Sequence, residues 1–84
     1  MDDETPPESW RYDRALDASG LKCPLPVLKA RKALLDLPAG ARLMVTATDP
    51  MSAIDMPHFA TEAGHRLVAS AEAGGKLMFL IERG

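Results

Sequence analysis

The sequence predicts an α/β (α+β) two-layer sandwich in the order β-α-β-α-β-β, with a mixed four-stranded sheet and two helices on one face. Three observations lead there. Four short segments read with the two-residue period of strands, the first alternating and the last apolar on both faces. Between them lie two stretches with apolar residues at helical spacing, Val27, Ala30 and Leu34 in the first and Met56, Phe59 and Ala63 in the second. Proline and glycine punctuate the joints at Pro38-Ala39-Gly40, Asp49-Pro50, Gly64 and Gly74-Gly75. Alternation of strand and helix over 84 residues gives one domain with one sheet.

Each element has its own justification. Arg11 to Asp17 alternates, with Tyr12, Arg14 and Leu16 on one side, and is the expected first strand. The first helix is expected from Pro24 to Leu35, its stripe of Val27, Ala30 and Leu34 flanked by Leu28 and Leu35. Arg42 to Thr48 is the second strand, with Leu43, Val45 and Ala47 on one face and Met44, Thr46 and Thr48 on the other. Asp49-Pro50 reads as a capped helix start. Pro57 then interrupts, so a turn over residues 50–55 and a helix over 57–63 are expected, with Ile54, Met56, Phe59 and Ala63 facing the core. His65 to Glu72 is the third strand, with Leu67, Ala69 and Ala71 on one side. A glycine turn leads into the fourth strand, Lys76 to Arg83, which is apolar on both faces and so central in the sheet. The second sheet face, with Met44, Val68, Met78 and Leu80, is left uncovered by a two-layer fold and offers room for a partner or a dimer.

The first ten residues stand apart. Asp2, Asp3, Glu4 and Glu8 with no base, together with Pro6 and Pro7, read as a disordered leader over residues 1–10, and residues 11–84 as the folded domain. The net charge of −2 comes from that leader, so the rest of the chain is net positive. A single cysteine excludes an internal disulfide and points to a reducing, cytoplasmic setting. No apolar run is long enough for a membrane span, and no signal peptide is recognised.

That cysteine is where the sequence concentrates its chemistry. Gly20-Leu21-Lys22-Cys23-Pro24-Leu25-Pro26-Val27 puts two prolines after Cys23, and proline fits a first helical turn because its φ is preset and it has no N–H to lose. Cys23 is therefore expected at the helix N-cap, beside Lys22, where the positive helix end favours a thiolate and lowers the thiol pKa below its ordinary ~8.5. Gly20, Pro24 and Pro26 shape the turn. Lys22, Lys29, Arg31 and Lys32 form a basic set next to Cys23, able either to dock an acidic partner or to be an ordinary solvated helix face. They carry no aromatic stacking platform, which argues against direct nucleic-acid binding. The two histidines, His58 and His65, are far from Cys23 in sequence and read as structural residues, so no local base is expected at the thiol. One cysteine and two histidines make a poor metal site, and no nucleotide or phosphate motif is present, so neither metal nor cofactor is expected.

The segment Leu16 to Val27, with its Cys-Pro-x-Pro core, resembles the signature of the TusA/SirA-like sulfur-carrier family. Asp49-Pro50 followed by Asp55-Met56-Pro57-His58-Phe59 is similar to that family's second block. The resemblance implies a sulfurtransferase acting as a sulfur carrier, with Cys23 holding sulfur as a persulfide, Pro24 and Pro26 opening the helix, and Asp49 starting the second block. It implies a cysteine desulfurase as donor and a downstream acceptor protein, in tRNA thiolation, molybdenum-cofactor formation or other sulfur metabolism. Two positions depart from the family pattern. Leu25 stands where the members of the tRNA relay have glutamate, and Ala60 where some members have a second cysteine. The alternative is a regulatory or redox-sensing interaction module that keeps the fold without the transfer chemistry.

Overall fold

The computed structural model describes Pro7 and residues 9–84. Its elements are β1 (Arg14–Ala18), α1 (Leu25–Leu35), β2 (Arg42–Ala47), α2 (Ser52–Glu62), β3 (Arg66–Ala73) and β4 (Lys76–Glu82). They follow the expected order. The sheet runs β1-β2-β4-β3, with β1 and β2 parallel and β4 antiparallel to both β2 and β3. The doubly apolar β4 is central, as its composition requires. The β3–β4 turn is Gly74-Gly75, both at positive φ, a conformation that glycine adopts without steric cost.

Both helices pack on one sheet face. Ala30 and Leu34 of α1 and Met56, Phe59 and Ala60 of α2 are buried against Leu43, Val45, Phe79 and Ile81. Pro26, rather than Val27, is the buried residue of the first turn of α1. Leu28 and Leu35 stay largely in solvent at 49% and 66% exposure, off the stripe that the buried residues define.

Three expectations are corrected. First, α2 is one continuous helix from Ser52, with Pro57 inside it. Pro57 removes a single helical bond, to the carbonyl of Ala53, an exposed residue. Burial of Met56, Phe59 and Ala60 offsets the loss, while Ile54 is 65% exposed instead of facing the core, and Ala63 caps the helix in solvent. Second, a β-bulge between Leu67 and Ala69 shifts the register of β3 against β4. Leu67 therefore packs under the helices, whereas Ala69 and Ala71 pack on the opposite face. The extra residue reverses the alternation downstream of it. Third, β1 begins at Arg14 and not Arg11; before it, the Asp13 N–H donates to the Arg42 carbonyl and the Asp13 carboxylate accepts the Arg42 N–H.

The second sheet face, expected to be uncovered, is instead a small core of its own. Met44, Met78 and Leu80 are buried, with Trp10, Val68, Ala69, Ala71 and Ala73 packed against them. Most of the leader expected over residues 1–10 lies outside the described residues; Trp10 is half-buried and donates its N–H to the Pro7 carbonyl at 3.0 Å.

Candidate functional site

The parallel pairing of β1 and β2 sets the site. Ala18 and Ala47 are register partners at the ends of these strands, so the loop leaving β1 and the loop leaving β2 emerge side by side. The first carries Gly20, Lys22 and Cys23, and the second Thr48 and Asp49. Gly20 sits at φ +82°, and its N–H donates to the Thr48 hydroxyl at 2.8 Å. The Cys23 N–H donates to Asp49 Oδ2 at 2.7 Å, while Asp49 Oδ1 accepts the Met51 N–H at 3.1 Å. One carboxylate thus ties the cysteine loop to the start of α2. These two bonds, with Cys23's first, hold the Asp49 carboxyl below its ordinary pKa, and the Lys22 charge adds to them.

Cys23 is not the N-cap of α1. Pro24 takes that position, its carbonyl accepting the Leu28 N–H at 3.1 Å. The Leu25 N–H returns to the Lys22 carbonyl at 2.8 Å, closing a turn over residues 22–25 whose central Cys23–Pro24 peptide is cis. The helix end is therefore poor in donors for the thiol: Pro24 and Pro26 have no N–H, and that of Leu25 is engaged in the turn.

The thiol faces a carboxylate instead. Cys23 Sγ is exposed and donates to Asp55 Oδ2 at 2.7 Å. That hydrogen bond favours the protonated form and raises the thiol pKa, with desolvation and the negative charges of Asp55 and Asp49 acting in the same direction. The expected lowering is thus reversed: the Asp55 hydrogen bond is the largest cause and the others act with it. The thiol also has an ionisable neighbour that the sequence analysis did not foresee.

Around the thiol lies a groove of about 370 Å³ lined by Cys23, Pro24, Val27 and Arg31 of one segment and Asp55, His58, Phe59 and Glu62 of α2. Arg31 stacks over the Phe59 ring at 5.2 Å, and His65 meets the same ring edge-on at 5.9 Å. His65 Nδ1 accepts the Gly84 N–H at 2.9 Å, and its burial, with Arg83 and Arg31 nearby, lowers its pKa and favours the neutral ring. Gly20, Lys22 and Asp49 line an adjoining hollow with Leu21, Thr48 and Pro50. Lys32 is elsewhere, beside Arg14, Lys29 and Asp36. The structure thus gathers Cys23, Pro24 and Arg31 in one groove, sets Gly20, Lys22 and Asp49 next to it, buries Pro26 and leaves Lys32 apart.

Asp55, His58, Phe59 and Glu62 follow one another at i, i+3, i+4 and i+7, the spacing of one helix face. Starting the helix at Pro57 hid that stripe.

Residues 14–83 match the model of the family described as Sulfurtransferase TusA. The chain belongs to that family. It is similar to a sulfur carrier protein TusA of Allochromatium vinosum, 50% identical over 72 residues that cover 86% of this chain and 95% of the relative. It is likewise similar to a sulfur carrier protein TusA of Pseudomonas syringae pv. syringae, 42% identical over 78 residues and 93% of each chain. Among solved structures, a SirA-like protein of Desulfitobacterium hafniense superposes with a TM-score of 0.76 at 28% identity, covering 86% of this chain and 99% of that one. In this TusA-family chain the Cys-Pro-x-Pro segment and the Asp-Pro segment are thus neighbours in space, joined through Asp49 and Asp55 to one cysteine.

Proposed function

We propose that the protein is a sulfur carrier: Cys23 accepts sulfane sulfur as a persulfide and passes it to an acceptor protein, which makes the chain a sulfurtransferase without a cofactor. The observation that carries this reading is the exposed thiol of the only cysteine, held at the mouth of a groove by Asp49 and Asp55, in a chain similar to proteins named sulfur carriers. A cysteine desulfurase is the proposed donor and a second sulfur-handling protein the acceptor, in tRNA thiolation, molybdenum-cofactor formation or another sulfur pathway of the cytoplasm. Exposure of Sγ supports protein-to-protein transfer, since Sγ must reach the outer sulfur of a donor persulfide and, once loaded, present its own outer sulfur to an acceptor thiol. With no second cysteine, the loaded sulfur has no internal disulfide through which to leave and must go to an outside thiol.

Among the described residues no helix is long and apolar enough to cross a membrane. The test is intact-mass analysis after incubation with a cysteine desulfurase and cysteine. A gain of about 32 Da, one sulfur atom, removed by a reducing thiol and absent in Cys23→Ser, is the expected result. A wild type that stays unloaded with several desulfurases, while its thiol still reacts with alkylating agents, refutes the carrier reading.

A further inference from the structure

The 2.7 Å contact between Cys23 Sγ and Asp55 Oδ2 acts differently on the two states of a carrier. An empty thiol has a proton to donate to the carboxylate. A loaded cysteine has none on Sγ, which is bonded to Cβ and to the outer sulfur, and that outer sulfur is anionic near neutral pH because a persulfide is more acidic than a thiol. We propose that Asp55 sets the balance between the two states, hydrogen-bonding the empty thiol and repelling the loaded persulfide, so that sulfur held on Cys23 is biased towards departure. This rests on the reading that Cys23 carries sulfane sulfur.

The charges that face the thiol support assigning this role to Asp55. From the loop after β2 comes Asp49, whose two oxygens are taken by the Cys23 and Met51 N–H groups and do not touch Sγ. Lys22 adjoins Asp49 in the neighbouring hollow, and α1 contributes Arg31, which lies over the Phe59 ring. From α2, His58 and Glu62 line the groove farther along the helix than Asp55. Asp55 is the group in hydrogen-bond contact with the sulfur. The raised thiol pKa, led by this bond, has the sign that the proposal requires.

Discharge then balances without an oxidant or reductant. The sulfur of an acceptor thiol attacks the outer sulfur of the Cys23 persulfide, and the new S–S bond forms as the Sγ–S bond breaks. The electron pair of the broken bond leaves on Sγ. The proton of the acceptor thiol ends on Sγ, where it is shared with Asp55, and the acceptor keeps the sulfur as its own persulfide anion. The acceptor thus gains the sulfane sulfur, Cys23 returns to a thiol, and the Asp55 contact is restored.

The test equilibrates the protein with a glutathione persulfide–glutathione couple of fixed ratio and reads the loaded fraction by intact mass. Asp55→Asn keeps the size of the side chain and removes its charge. The ratio of loaded to empty protein is expected to rise threefold to tenfold in the variant, the range that an exposed charged hydrogen bond supports. The pH midpoint of Cys23 alkylation should fall at the same time, a readout that a merely structural role for Asp55 leaves in place. If the variant does not fold, the wild type alone decides: its alkylation midpoint should lie above that of the same chain in concentrated urea, and a folded midpoint at or below the unfolded one overturns the proposal. A wild type that loads, beside a folded Asp55→Asn that loads to the same ratio with the same midpoint, overturns the role of Asp55 and leaves the carrier reading standing. A wild type that never gains the sulfur overturns both.

Discussion

Phe59 joins the core to the groove, and replacing it separates two kinds of stabilisation. The ring is 4% exposed, packs in the core under the helices, carries Arg31 over its face at 5.2 Å and meets His65 edge-on at 5.9 Å. Phe59→Leu keeps an apolar side chain in place but removes both ring contacts. An aromatic pair contributes about 0.5–1.5 kcal/mol beyond its burial, and a cation over a ring at an exposed site about 0.5–1 kcal/mol. Repacking a smaller side chain adds up to about 1 kcal/mol. Together these give a loss of about 1–3.5 kcal/mol, against a total stability of about 4–12 kcal/mol for a chain of this size. Urea unfolding should show the loss as a lower midpoint with an unchanged slope. A double-mutant cycle with Arg31→Gln should return a coupling of about 0.5–1 kcal/mol. The alkylation midpoint of Cys23 should not move, since the contact with Asp55 does not run through the ring. Stability within about 0.5 kcal/mol of wild type, or no coupling to Arg31, refutes the reasoning.

Two further outcomes follow from the structure. Asp49 is held below its ordinary pKa in the fold, so the unfolded chain binds the proton first on acidification. Its contribution to stability is therefore complete above the unfolded value near pH ~3.9 and is lost as pH falls through the folded value; thermal melting against pH should be flatter in that window for Asp49→Asn, with Asp17, which Ser19 lowers in the same way, supplying what slope is left. An equally steep profile in the variant removes Asp49 from the account. Trp10→Ala uncovers part of the Met44–Met78–Leu80 cluster and should cost about 1–2 kcal/mol, or roughly 4–16 °C in Tm; an unchanged Tm would mean that the ordered fold begins after Trp10.

Much of the fold was legible because its signals are local and repeated. The two faces of β2 and β4 follow from the two-residue period of a strand, and the central place of β4 follows from its having no polar face. What escaped was decided by tertiary context. Nothing in Leu67-Val68-Ala69 marks a bulge, since all three side chains are apolar and either register buries two of them. Pro57 reads as a break by local rules, yet the helix runs through it because Met56, Phe59 and Ala60 on either side are buried. The same misreading concealed the most consequential neighbour of the thiol. With the helix started at Ser52, Asp55 falls in its first turn, on the groove-lining side with Phe59; with the helix started at Pro57, Asp55 belongs to a turn and faces nowhere in particular.

The position of the thiol follows from topology more than from the helix it precedes. A parallel β1–β2 pair brings the carboxyl ends of two strands to one edge of the sheet, and open α/β sheets place their ligands at such edges. Here the occupant of the edge is a segment of the chain itself, the loop bearing Cys23. Because both helices start there, the loop meets two acidic residues from the second of them and its lead-in: Asp49 fixes the backbone of Cys23, and Asp55 holds its sulfur. Positioning and proton state are thereby assigned to different side chains. A substitution at Asp49 should displace the cysteine loop, whereas one at Asp55 should leave the loop in place and alter only the sulfur chemistry. That division keeps the thiol exposed to partner proteins while its charge is set from within the fold.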